Sequence, residues 1–131
     1  MAKLIDIQNE VIKKYDINIV ENSSCWSRTH CHIKGRKVCK WKQTNSIQST
    51  FTLFHEIGHI ETTKSTMRRC ESEYYATVWA INKCNEYELD IPTKTIEGYQ
   101  RYIYRELDRG LRRHGKNYPT REELNIKEVL V

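Results

Sequence analysis

Proline and glycine are scarce in this sequence, two and five residues respectively, and they do not cluster, which excludes collagen-like repeats and a flexible linker between domains. Long apolar runs are missing as well. The purely hydrophobic stretches last only a few residues, Val78 to Ile81 being typical, and none is long enough to span a bilayer. The opening MAKLIDIQNE alternates charge with apolar residues and has no signal-peptide pattern. Five cysteines, an odd number, do not make a disulfide framework, so reduced thiols in a cytoplasm are expected. Internal repeats and low-complexity tracts are also lacking.

What is present is a soluble, globular balance. The 131 residues suffice for one domain, with 38% hydrophobic and 30% charged residues and a net charge of +5. The charge is uneven along the chain. Residues 1–50 carry nine basic and four acidic side chains, residues 51–100 five and eight, and residues 101–131 eight and five. An acidic middle suits a cation site, and basic flanks suit an anionic partner.

Periodicity predicts an α+β domain, mainly helical, with a small antiparallel sheet before its central helix. Leu4, Ile7, Val11 and Tyr15 recur at helical spacing over 3–15. Residues 25–42 read as short strands, with Cys31-His32-Ile33 and Lys37-Val38-Cys39 flanking a turn at Lys34-Gly35-Arg36. A helix over 50–62 is expected to be capped by Ser49 or Thr50, and one over 67–88 by Ser65 or Thr66. Pro92 opens a helix over 93–114 that Gly115 can close, and a capping box at Thr120 and Glu123 predicts a tail helix over 120–131.

The central helix contains His55-Glu56-Ile57-Gly58-His59. Histidines four residues apart on a helix share a face and can grip one metal ion, while Glu56, about 100° around the axis, can act as general base on water. The apolar back face of Phe51, Leu53 and Phe54 implies a partly buried helix. Gly58 costs about 1 kcal/mol relative to alanine in a helix interior, which makes sense if another backbone or a substrate must approach it closely. A catalytic zinc takes three protein ligands and keeps one open position. Glu73 is the candidate for the third, against a solvated helix carboxylate, because it lines up with Ala76, Thr77, Ala80 and Cys84 on a narrow face suited to close packing, whereas Glu71 points about 200° away. Thr77 can orient a ligand imidazole or the carboxylate.

Phe51-Thr52-Leu53-Phe54-His55-Glu56-Ile57-Gly58-His59, followed by Glu73-Tyr74-Tyr75-Ala76-Thr77-Val78-Trp79-Ala80, resembles the ImmA/IrrE metallopeptidase family over about residues 43–85. Tyr75 and Thr77 depart from the family pattern; the ligand position survives both. The resemblance implies a zincin-like core, Zn2+ held by His55, His59 and Glu73, and Glu56 as catalytic base driving attack of zinc-bound water on a peptide bond. It further implies a phage or mobile-element setting, in the cytoplasm of a bacterial or phage-infected cell, with a repressor or other regulatory protein as substrate.

Several alternatives stand beside this reading. Tyr74, Tyr75, Tyr99, Tyr102, Tyr104, His30 and His32 are all open as stabilisers of the oxyanion. The strands around Ile33 and Val38 can offer an edge to an extended peptide. Cys25, His30, Cys31, His32 and Cys39 are crowded, but their spacing lacks the tight pair of a structural zinc site. Arg101, Arg105, Arg109, Arg112 and Arg113 form a basic row interleaved with Tyr102 and Tyr104. That row fits either a solvated helix face or contact with nucleic acid or an acidic protein. The alternative function is accordingly a zinc-containing, non-proteolytic inhibitor or adaptor that contacts its partner through the basic helix.

Overall fold

The computed structural model describes residues 3–20, 29–33, 36–124 and 126–127, with residues 29–33 and 36 described by their backbone alone. The class is α+β and mainly helical. Helix α1 (Leu4–Lys14) is followed by strands β1 (Asn18–Val20), β2 (Thr29–Ile33) and β3 (Arg36–Lys40), and then by α2 (Ile47–Thr62), α3 (Arg69–Glu86) and α4 (Thr93–His114). A single 3-10 turn, Gly115–Asn117, follows α4. Among the described residues no helix is long and apolar enough to cross a membrane.

The strand order is β1-β3-β2. β2 runs antiparallel to β3, pairing Thr29 with Cys39 and His30 with Val38, and a one-residue bulge at His32 separates the Cys31–Lys37 and Ile33–Arg36 pairs. β1 lies on the other side of β3 and runs parallel to it, Asn18 opposite Val38. The sheet is therefore mixed, not purely antiparallel as expected. β1 is only three residues long, too short to leave an alternation signal. Val38 sits in the central strand with both neighbours paired, so it offers no edge to a peptide; β2, containing Ile33, is an outer strand and lies against α2.

α2 runs through the centre of the molecule. Phe51, Leu53, Phe54 and Ile57 are fully enclosed, surrounded by Ile7 and Val11 of α1, Cys39, Trp41, Cys70, Ile81 and Cys84, and Ile96, Ile103 and Leu107 of α4. Trp41 closes the end of β3 and donates its indole N–H to the Ser49 carbonyl at 2.9 Å. α2 begins three residues earlier than expected because Ser46 is its cap, accepting from the Ser49 N–H at 3.1 Å. The serine and threonine read as caps bond to the preceding loop and to α1 instead. Ser49 donates to the Lys42 carbonyl, and Thr50 receives the side-chain amide of buried Gln8 at 2.8 Å.

α3 likewise starts at Arg69, not at Met67, and Glu71 rather than Ser65 or Thr66 serves its end by accepting from the Arg68 N–H at 3.1 Å. Gly58 of α2 meets the backbone of Ala76 of α3, where a Cβ would lie 2.7 Å from the Ala76 oxygen and 3.0 Å from its Cα. The small residues on that face let the two backbones touch. α4 ends where expected, with Gly115 at φ 53°, a conformation that glycine adopts without strain.

The expected tail helix is not formed by the described residues. Thr120 and Glu123 do make reciprocal bonds, Glu123 N–H to the Thr120 hydroxyl at 3.2 Å and Thr120 N–H to the Glu123 carboxylate at 3.4 Å, but residues 121–124 make only a turn. Leu124 and Ile126 are buried in the core just beyond it. Residues 125 and 128–131 lie outside the described residues.

Candidate metal centre

His55 and His59 project from one side of α2 toward Glu73 on α3. Their Nε2 atoms are 3.1 Å apart, and Oε2 of Glu73 lies 3.0 Å from the first and 3.2 Å from the second. Three ligand atoms of a tetrahedral ion with bonds of about 2.0–2.1 Å stand about 3.3 Å apart. The observed triangle is close to that shape, and the donor set of two imidazoles and a carboxylate is one that suits zinc, so these side chains can hold a metal ion. Glu71 is occupied at the helix cap, which leaves Glu73 as the carboxylate of the group.

The ligand atoms are held from behind. Thr77 donates its hydroxyl proton to the Glu73 carbonyl at 2.7 Å, and its oxygen lies 3.3 Å from Nδ1 of His55. Ser72 holds Nδ1 of His59 at 3.0 Å and is itself bonded to Thr63 at 2.8 Å. The Thr77 contact follows from helical spacing. The Ser72 contact does not, because it depends on how far α3 is rotated against the end of α2. The aromatic ring of Tyr99 covers the other side of His55, with centroids 4.6 Å apart.

Electrostatics divide the two glutamates. Burial alone would raise the Glu73 carboxyl, but hydrogen bonds from His55 and His59 and their charge outweigh it and hold the group at about 2. For Glu56 burial outweighs the charge of His59, and with the Glu73 carboxylate nearby it pushes the group up to about 7. Burial also pushes His55 below its ordinary value, favouring the neutral imidazole that a metal requires. Tyr99 is pushed up to about 12, again by burial, and keeps its phenolic proton.

All four motif side chains open into one groove of about 1080 Å³, whose opposite wall is α4 with Lys94, Thr95, Gly98, Tyr99 and Tyr102. Of the residues open as oxyanion stabilisers, Tyr99 and Tyr102 line this groove. Tyr74 and Tyr75 meet edge to face, and Tyr104 accepts from Arg121 at 2.7 Å. The side chains of His30 and His32 lie outside the described residues, as does Cys25; Cys39 is a buried thiol. Among the described residues His55, His59 and Glu73 are the one group placed to hold an ion.

The basic row is exposed at Arg101, Arg105, Arg109, Arg112 and Arg113. Arg109 also faces the buried Glu106 at 3.7 Å, and Glu106 in turn faces Arg69 at 3.5 Å. Arg69 and Lys94 are functional candidates that sequence reasoning passed over, because two isolated cations on different helices show no spacing signal. Compared with protein-family models, with curated proteins and with solved structures, the chain matches none.

Proposed function

We propose that the protein is a zinc-dependent endopeptidase with a zincin-like core of the ImmA/IrrE kind, in which His55, His59 and Glu73 are the metal ligands and Glu56 is the base. The observation that supports this reading most is the ligand triangle of 3.0–3.2 Å opening into the same groove as the buried Glu56. A groove of this volume is at the upper end for small-molecule sites and suits a stretch of peptide.

When bound, zinc supplies Lewis acidity, lowering the pKa of water and polarising a carbonyl. The rest is the work of this chain. Glu56, whose proton affinity burial raises, accepts a proton from the attacking water and delivers it to the departing amine. Glu73 stays an anion throughout, Thr77 and Ser72 fix the imidazoles, and Tyr99 keeps water off one face of His55. Substrates of this kind include phage, mobile-element or host regulatory proteins within a bacterial or infected-cell cytoplasm. Digestion of mixed peptides by the zinc-loaded protein tests the reading. Glu56→Gln should keep its zinc and lose at least about a hundredfold in rate; undiminished cleavage by that variant would overturn it.

The five exposed arginines of α4 favour a second reading, a non-proteolytic inhibitor or adaptor that contacts a protein or nucleic acid. Reversing Arg105 and Arg109 to glutamate separates the two. It should abolish partner binding in the second and leave peptide cleavage intact in the first.

A further inference from the structure

Among the described residues three glycines lie inside α-helices, and the chain explains only two of them. A Cβ at Gly58 would strike the Ala76 backbone, and one at Gly110 would strike the ring of Tyr118. A Cβ at Gly98 would meet nothing closer than the guanidinium tip of Arg101 at 3.9 Å, an ordinary contact with a flexible side chain. Its φ is not positive, so the backbone does not demand glycine either. Glycine in mid-helix nonetheless weakens folding about fivefold relative to alanine. Gly98 lines the groove, on the wall formed by Lys94, Thr95, Tyr99 and Tyr102 across from the ligand triangle.

The charge of that groove is divided by place. Its acids, Glu56 and Glu73, belong to the metal centre; its cations, Lys94 and Arg69, stand outside it. Arg69 is two-thirds exposed but fixed in direction, donating to the Tyr102 hydroxyl at 3.1 Å and facing buried Glu106 at 3.5 Å. A guanidinium held in this way is suited to a carboxylate. From Lys94 to Tyr102 the helix rises about 12 Å, the length of three to four extended residues.

We infer that the groove seats an acidic peptide segment whose main chain passes directly over Gly98, with its carboxylates held by Arg69 and Lys94. Gly98 and Arg69 are then specificity determinants. The inference rests on the peptidase reading for the ligand being a peptide.

Zinc-loaded Glu56→Gln protein provides the test, because binding can be read without turnover. Two pools of synthetic twelve-residue peptides serve as probes, alike except that one carries a central Asp/Glu pair where the other has Asn/Gln, with binding followed by fluorescence anisotropy. The acidic pool should bind at least about tenfold more tightly. Adding Gly98→Ala should raise the urea midpoint of unfolding yet weaken acidic-pool binding about tenfold, and Gly98→Val should abolish it. Arg69→Gln should remove the preference between pools while sparing amide-pool binding. Equal binding of the two pools, or Gly98 variants that bind like their parent, would overturn the inference. Preference retained by the Glu56→Gln protein, with no cleavage of either pool by wild type, would support the groove while removing the peptidase reading.

Discussion

The Thr77 hydroxyl stands between its own helix and His55, donating to the Glu73 carbonyl at 2.7 Å and meeting Nδ1 of His55 at 3.3 Å. With its proton committed to the carbonyl, Thr77 has only a lone pair to offer, so it accepts from Nδ1–H of His55, and with a metal ion in place that tautomer leaves the Nε2 lone pair free for the ion. A single hydroxyl thus selects the tautomer that a metal needs.

Thr77→Val should therefore strand the Nδ1 hydrogen in a buried place, at a cost of about 1–3 kcal/mol in stability. Metal affinity should fall about 10–100-fold, as is usual when the partner behind a ligand is lost. Competition against a chromophoric chelator measures the affinity, and Thr77→Ser should restore most of it. Unchanged affinity in the valine variant would mean that packing alone orients His55.

Contact between Gly58 and the Ala76 backbone gives a second expectation. Alanine at 58 gains helix propensity of about 1 kcal/mol, but its methyl would lie 2.7 Å from a backbone oxygen and must push α3 outward. Overpacking of this kind costs about 1–3 kcal/mol. Because Glu73 is one turn from Ala76 on α3, Gly58→Ala should also open the ligand triangle. Denaturant unfolding of the metal-free protein and zinc titration should both show loss; a variant with lower stability but full zinc affinity would show that the helices part without moving Glu73.

The site was legible in the sequence where chemistry follows from position along a helix. His55 and His59 share a face by spacing, and Glu73 rather than Glu71 follows from the line of small residues through Ala76 and Ala80. Gly58 announced a close approach because glycine is otherwise costly there. The signal stopped where placement depends on a second element. Nothing in residues 18–20 says that they pair in parallel with β3, and nothing at Ser72 says that it reaches His59. The caps failed for a related reason. Ser46, Ser49 and Thr50 are all competent, and the loop at Thr44 and the buried Gln8 decide among them. Thr120 and Glu123 make their box, yet the described residues after it form a turn, with Leu124 and Ile126 buried in the core.

The raised Glu56 carboxyl makes the stability of the metal-free protein depend on pH. Its ordinary value is 4.5 and its folded value about 7, so between these the folded chain holds a proton that the unfolded chain has released. This contribution is fully present below about pH 4.5 and is lost as pH rises through 7, amounting to about 3 kcal/mol. His55, lowered by burial, acts in the opposite sense below its ordinary 6.5. That effect is shared by wild type and Glu56→Gln, so the difference between their unfolding curves isolates Glu56. The glutamine variant should become progressively the more stable of the two as pH rises from 4.5 to 8. Parallel curves over that range would show that Glu56 titrates alike in both states.

Gly110 supplies the converse case, a close contact outside the candidate metal centre. The ring of Tyr118 occupies the place of its missing side chain, and a Cβ there would lie 2.6 Å from the phenolic oxygen. That oxygen lies 3.1 Å from Sγ of Cys70, and the ring stacks on His114 at 5.9 Å between centroids and lies under Arg68. These contacts fasten the segment after α4 to the start of α3. Gly110→Ala should expel the ring and break the Cys70 contact, loosening residues 115–124 at a cost of about 1–3 kcal/mol. Limited proteolysis should then cut this segment faster than in wild type. Zinc affinity should stay within about twofold, since the hydrogen bonds that hold His55 and His59 come from Thr77, Ser72 and Glu73 and not from Tyr118 or Cys70. A large loss of zinc would instead place the tail among the determinants of the metal centre, acting through the first turn of α3.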